Sequence, residues 1–423
     1  MKSIIKNLVI AVLILTGVNM YAQSNRDLDN FRQPDQRGIN DFEAVKDNST
    51  SNFDGVHVRI GGSSTLQFQA LDNENSGTVP LQEIGSNFNL ATANLDLDVA
   101  LYDGVRMHLR TYLSSRHHHE PYVKGGYFQI DKLDFIKEGF ASDLMDHMRI
   151  KIGHMENNYG DAHFRRSDNS MSLYNPFVGN LIMDSFTTEV GAEVYYFRGP
   201  WFGMLGFSNG KLNQSVKESN GTTGGAAFLA KLGYDKQINE DFRFRLTGSL
   251  YNTGYAPSVY LYTADRAGAR YYNVMQAEGA SGDNFRASRF DPGFKNKITA
   301  IMFNPFLKYG GLEFFGTVEL TNGQALGETD RRNTQQYAGE LLYRFGNSEN
   351  FYIGTRYNTV NAELASGDDV SIDRFNVGGG WFLTKNILMK AEYVTQNYND
   401  YPTGDLLEGG KFNGFVLEAA ISF

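Results

Sequence analysis

Residues 414–423 read G-F-V-L-E-A-A-I-S-F. At period two, Phe415, Leu417, Ala419, Ile421 and Phe423 share one face, and Val416, Glu418, Ala420 and Ser422 share the other. This alternation predicts a β-strand with one wholly apolar face. A soluble sandwich has little use for such a strand as its last element, because an open edge invites pairing with another chain. In a bilayer the last strand must pair with the first, since an open edge would leave backbone groups unsatisfied in hydrocarbon. The stretch therefore predicts an all-β chain, a transmembrane antiparallel up-and-down β-barrel closed by its final strand.

The alternation reaches upstream to residue 56. Residues 87–102 set Leu95, Leu97, Val99 and Leu101 against Asn94, Asp96, Asp98 and Ala100, and Asp103-Gly104 then offers a two-residue hairpin turn. Residues 105–116 set Arg106, His108 and Arg110 against Val105, Met107 and Leu109. Further strands are expected at 56–71, 125–133, 147–155, 187–197, 201–208, 225–234, 241–252, 297–308, 311–320, 334–345, 350–360, 371–383 and 386–397. A short helical turn fits within 135–146. The expectation is about sixteen strands, enough to enclose an aqueous lumen. Fourteen or eighteen stay open, because 135–146 and the long break at 253–296 can hide or mimic a hairpin. Short connections at 103–104, 198–200, 235–240, 309–310, 346–349 and 384–385 alternate with long ones such as 72–86, 209–224, 253–296 and 398–413. Short turns at one rim and long loops at the other are the asymmetry of a membrane barrel. Tyr102, Phe197, Trp201, Phe202, Tyr234, Phe242, Tyr309, Phe345, Phe351, Phe382 and Phe423 sit beside the short turns or at the last position. They are expected to form one aromatic girdle at the membrane–water interface.

Composition narrows the class. After residue 22 no apolar run approaches the roughly 20 residues of a membrane helix. Yet aromatics make up 13% of the chain, with 45 Gly and only 9 Pro. Residues 1–22 read as a secretory signal peptide, with Lys2 and Lys6, an apolar run at 8–15 too short to span, and Ala22 before the cleavage point. Removing them takes away two lysines and no carboxylate, so the formal charge of −9 becomes more negative. An acidic chain argues against a nucleic-acid partner. The chain has no cysteine, which excludes a cysteine-linked lipid anchor, disulfides and thiolate metal sites. Residues 23–54 form a polar extension of mixed charge, expected on the periplasmic side, either packed into the barrel mouth or solvated. The barrel is expected over 55–423.

Inward charges fall unevenly in this reading. Arg106, His108, Arg110, Arg149, Lys151, Arg243 and Arg245 lie on one arc, and Glu313, Glu319, Glu340, Glu392 and Glu418 mostly on the other. Either the opposed arcs set up a field across a pore, or the charges pair locally and stiffen the wall. The loop at 156–184 is too apolar in its second half (Pro176, Phe177, Val178, Leu181, Ile182, Met183) to wave in solvent. It is expected to fold inward and present Asp161, His163, Arg165, Arg166, Asp168 and Asn169 as a constriction. There Arg165 and Arg166 are expected to contact passing anions.

The run K-I-G-H-M-E-N-N-Y-G-D-A-H-F-R-R-S-D-N at 151–169, with N-P-F-V-G-N at 175–180, resembles a porin family of the Bacteroidota. That family is similar in architecture to the phosphate-selective porins. S-S-R-H-H-H at 114–119, V-K-G-G-Y at 123–127 and parts of the extension at 30–43 fit the same family. The terminal Phe423 on an alternating strand also resembles the assembly signal of bacterial outer-membrane barrels. The resemblance implies passive diffusion of small hydrophilic solutes or ions across an outer membrane, contact with its lipid, and homotrimers for a barrel of this size. It implies no cofactor. The lysine-rich ladder of a phosphate-selective pore is not evident in the sequence. Consecutive His117, His118 and His119 point different ways, so no metal site is expected. His154, Asp161 and His163 could serve acid–base chemistry, but no nucleophile motif accompanies them, and a non-enzymatic protein is expected. Two alternatives stay open: an accessory barrel with a plugged lumen in a larger complex, and an outer-membrane hydrolase.

Overall fold

The computed structural model describes residues 28, 31–44, 46, 53–113, 121–211, 226–254, 256, 258–263, 269–280 and 286–423. The expected signal peptide at 1–22 and the histidines at 117–119 lie outside them. Sixteen strands follow one another: β1 (His57–Glu74), β2 (Asn87–Tyr102), β3 (Val105–Leu113), β4 (Tyr122–Ile130), β5 (Met148–Glu156), β6 (Thr188–Arg198), β7 (Trp201–Ser208), β8 (Ala227–Gln237), β9 (Phe242–Thr253), β10 (Lys297–Tyr309), β11 (Leu312–Gln324), β12 (Arg332–Phe345), β13 (Phe351–Glu363), β14 (Asp369–Thr384), β15 (Ile387–Asn399) and β16 (Lys411–Ser422). Each pairs antiparallel with its chain neighbours, and β16 returns to β1, so the sheet closes. The closure is in register, Phe68 opposite Leu417 and Ser64 opposite Ile421. The Phe423 N–H donates to the Gly62 carbonyl at 3.0 Å, and the Gly62 N–H donates back at 2.9 Å. A Cβ at Gly62 would sit 3.1 Å from the Phe423 ring, so a bare backbone suits the seam.

Several strands run further toward the long-loop rim than hydrophobic alternation indicates. β1 and β16 stay paired through Asp72–Asn413, Asn73–Phe412 and Glu74–Lys411. Backbone ladder bonds continue there although the side chains have turned polar. The region 135–146 holds one helical turn, α1 (Ser142–Met145), as its sequence suggests. The break at 254–296 holds no hairpin among the described residues, only an isolated bridge between Leu81 and Ala277. That fixes the count at sixteen.

The outward face carries Leu66, Phe88, Leu95, Leu205, Leu232, Phe303, Leu341, Val377 and Leu417, all exposed. A continuous apolar exterior of this kind is stable against lipid and not against water. Leu417→Arg, near the middle of β16, is expected to destabilise the barrel by about 2–4 kcal/mol. Urea titration in lipid vesicles measures that cost. The aromatic girdle is thinner than expected. Tyr102, Trp201, Tyr309, Phe345, Phe351 and Phe423 are exposed at the short-turn rim, whereas Phe202 and Phe382 are buried inside. Phe197 also turns inward, stacking between Tyr195 and Phe202. Adjacent strand residues face opposite ways, so Trp201 excludes Phe202 from the outside, Trp381 excludes Phe382 and Tyr196 excludes Phe197.

Candidate functional site

Three segments enter the lumen. The first, residues 31–44 and Lys46, crosses the short-turn end. Gln36 N–H donates to the Lys385 carbonyl in the β14–β15 turn at 2.8 Å. Asn40 Nδ2 donates to Glu313 on β11 at 2.8 Å, Glu43 pairs with Arg245 on β9 at 2.6 Å, and Lys46 meets Asp131 after β4 at 3.4 Å. Phe42 packs edge-on against Phe306 and buries with Phe315. This strap thus touches nearly the whole circumference. The described part of the polar extension is packed into the barrel and not solvated.

The second segment, residues 157–187, enters after β5. Val178 N–H donates to Glu392 at 2.9 Å, Ile182 N–H to Asn358 at 2.7 Å and Met183 N–H to Gln336 at 2.9 Å. These acceptors are inward residues of β15, β13 and β12, so the loop lies inside and against the far wall. The third segment, the described residues of 254–296, fills the long-loop end. Tyr262 donates to Glu319 at 2.9 Å, and Arg289 donates to the Asp184 carbonyl at 3.1 Å. Arg270 meets Glu418. With Val178, Ile182 and Met183, residues Val259, Leu261, Tyr271 and Val274 form a buried core within the barrel.

Of the two charge arrangements left open, local pairing holds. Arg165 pairs with Glu313 at 2.8 Å and Glu340 at 3.0 Å, and Arg166 with Asp184 at 2.8 Å and Asp168 at 3.0 Å. Both guanidiniums are buried and matched by carboxylates, so they do not offer the free anion contact expected of them. Asp161 pairs with Arg245 at 2.8 Å and Lys231 at 2.7 Å. Arg243 pairs with Asp235 at 2.6 Å, and Arg106 and Arg149 share Asp131 at 2.8 and 2.9 Å. Arg110 grips Asp96 through two bonds of 2.8 Å. Glu319 accepts from Tyr159, Tyr262 and Gln336 at 3.1, 2.9 and 3.1 Å. His163 bonds Glu156 at 2.7 Å and Asn158 at 3.1 Å, away from Asp161. His154 joins neither, so the three do not form a catalytic group. No cluster of metal-ligating residues occurs among the described residues.

The supposed acidic arc is also incomplete as a description. Arg344, Arg356, Arg374 and Lys390 point inward from β12 to β15 and are buried beside the glutamates. Arg356 pairs with Glu340 at 2.7 Å and Lys390 with Glu418 at 2.6 Å. The same alternation that located the glutamates locates these cations.

Burial alone would raise the Glu43 carboxyl, but Arg245 and Lys231 outweigh it and hold it at about 2. Asp161 is likewise lowered: desolvation opposes, and the same two cations prevail. A free glutamate titrates near ~4.3. A carboxyl lowered on docking contributes docking stability above its free value and loses it as the pH falls through its docked value. The strap is therefore expected to stay docked from pH 8 to 5 and to loosen between ~4 and ~2. Hydrogen exchange of residues 31–46 against pH reads this directly.

Against β2–β6 the three segments leave a cavity of about 170 Å³. Asp96, Asp98, His108, Arg110, Lys124, Tyr127, Arg149, Lys151 and Tyr195 line its wall side. Glu156, Asn158, His163, Asn169, Ser170 and Tyr174 line its other side, and Phe31, Arg32, Phe42 and Glu43 lie toward the strap. Such a space holds several waters.

No family model and no curated protein matches this chain. Solved structures do match in shape. An anion-selective porin from Comamonas acidovorans aligns over 87% of this chain and 100% of its own, at 11% identity and a TM-score of 0.55. The outer membrane channel DcaP of Acinetobacter baumannii aligns over 88% and 99%, at 11% identity and 0.51. The trimer form of OmpT, an outer membrane protein of Vibrio cholerae, aligns over 88% and 100%, at 11% identity and 0.52. The fold is that of outer-membrane porins. At these identities the match speaks for the barrel and not for its cargo.

Proposed function

We propose that this chain is an outer-membrane porin that lets small hydrophilic solutes or ions diffuse passively along the β2–β6 wall. The observation that carries the reading is the pairing of an apolar exterior with a charge-lined cavity against β2–β6 inside the barrel. Water in that cavity and the polar side chains around it replace the hydration that lipid would strip away. Loop 157–187 bounds the passage on its inner side, and the strap forms its narrowest section at the short-turn end. In this reading 1–22 directs export, the strap lies on the periplasmic side, and the wall assembles as a homotrimer in lipid. The kinship with Bacteroidota porins, read from residues 151–184, belongs to the same proposal; phosphate selectivity does not. The protein acts as a conduit and not as an enzyme.

Liposome swelling with a graded series of sugars and amino acids tests the reading. Uptake should occur and fall steeply with solute size. Vesicles holding folded barrel that take up none of the series would refute it. A second reading, an accessory barrel with a closed lumen, draws support from the strap and two loops inside. It requires that no solute enter even when the strap is removed.

A further inference from the structure

We infer that the cavity against β2–β6 is a seat for a small organic carboxylate, with Lys151 as its anion contact. The inference rests on the channel reading and names the class of solute that the passage favours. Lys151 projects inward from β5 and is only partly buried. No carboxylate forms an ion pair with it among the described residues, although it lines the cavity. Its cross-strand neighbour Glu193 is held instead by Tyr195 Oη at 2.5 Å and by the Asn158 N–H at 3.1 Å. Three other wall cations are committed to carboxylates: Arg110 to Asp96, Arg149 to Asp131, and His108 to Asp98 at 2.6 Å. Lys124 lies over the Tyr112 ring. An ammonium with no carboxylate in ion-pair contact, in a confined polar space, offers a direct contact to an anion.

The surroundings select the kind of anion. The Lys151 ammonium lies 5.3 Å from the centre of the Tyr127 ring and 5.4 Å from that of Tyr195. Toward the strap, Arg32 lies 3.6 Å over the Tyr174 ring, and its Nη2 has no acceptor. Rings flanking a single cation suit a flat apolar body that ends in one carboxylate. Asp96, Asp98, Glu156 and Glu43 share the lining and repel a phosphate dianion more strongly than a monoanion. The cavity is large enough for an anion the size of benzoate.

Calorimetric titration of the detergent-solubilised full barrel with sodium benzoate tests this without requiring conduction. Saturable binding is expected, weakened at least tenfold in Lys151→Gln and largely kept in Lys151→Arg, with inorganic phosphate a poor competitor. Heat-modifiable electrophoretic mobility verifies that each variant is folded. Absence of saturable heat, equal affinity in Lys151→Gln, or displacement of benzoate by equimolar phosphate would each overturn the seat. Benzoate binding in a barrel that passes no current would remove the channel reading and keep the seat.

Discussion

Deleting residues 31–46 raises single-channel conductance at least about twofold, because current through a pore follows its narrowest section. The strap spans the short-turn end, from the β14–β15 turn to the inner faces of β8, β9 and β11. No strand belongs to it, so the closed ladder survives its loss. The charges it leaves behind keep partners: Lys231 and Arg245 retain Asp161, and Glu313 retains Arg165 and Arg344. The chief structural cost is exposure of Phe306 and Phe315, which Phe42 covers. Planar-bilayer recording of the deletion beside the full chain reads the change. An unchanged step size would mean that the strap does not stand in the passage.

Asp161→Ala is expected to destabilise the docked 157–187 loop by about 3–5 kcal/mol, the usual cost of removing one partner from a buried charge cluster. Asp161 has no exposed surface, pairs with Lys231 and Arg245, and accepts from Thr247 Oγ1 at 2.9 Å. Without it two buried cations share Glu43 and the partly exposed Asp235. Glu43→Gln is milder, since Asp161 then still faces both cations. Hydrogen exchange across 157–187 distinguishes the two variants: protection should collapse in Asp161→Ala and change little in Glu43→Gln. Equal protection in both would place the loop's anchor elsewhere, at the backbone bonds to Gln336, Asn358 and Glu392.

The barrel was legible because period-two alternation is a local signal. Leu417 and Glu418 face opposite ways in any strand, and the pairing only had to be extended around the ring. The inward course of 157–187 was legible for a related reason: Val178, Ile182 and Met183 are too apolar for solvent and are buried. The same signal stands in Val259, Leu261, Tyr262, Tyr271 and Val274, and it marks the described residues of 254–296 as a second inward segment that strand counting alone passes over. Pairing was not legible. Arg165 meets Glu340 across 175 positions, and Arg245 meets Glu43 across 202. Such partners are set by how the loops fold over one another and leave no spacing in the sequence. Arg165 therefore reads as an anion contact in the sequence and stands in the structure as a buried tie between loop and wall. Lys151 looks no different from Arg149 two residues earlier; Arg149 forms an ion pair with Asp131, and no carboxylate among the described residues comes within ion-pair distance of Lys151.

Single-channel recording of the purified full chain in a planar bilayer, under a potassium chloride gradient, tests the central claim most directly. The account predicts small, stable open steps and a reversal potential whose sign favours chloride, shifted toward zero in Lys151→Gln. A barrel that is folded and inserted yet shows no steps, with the strap or without it, would contradict the account and leave a closed accessory barrel in its place.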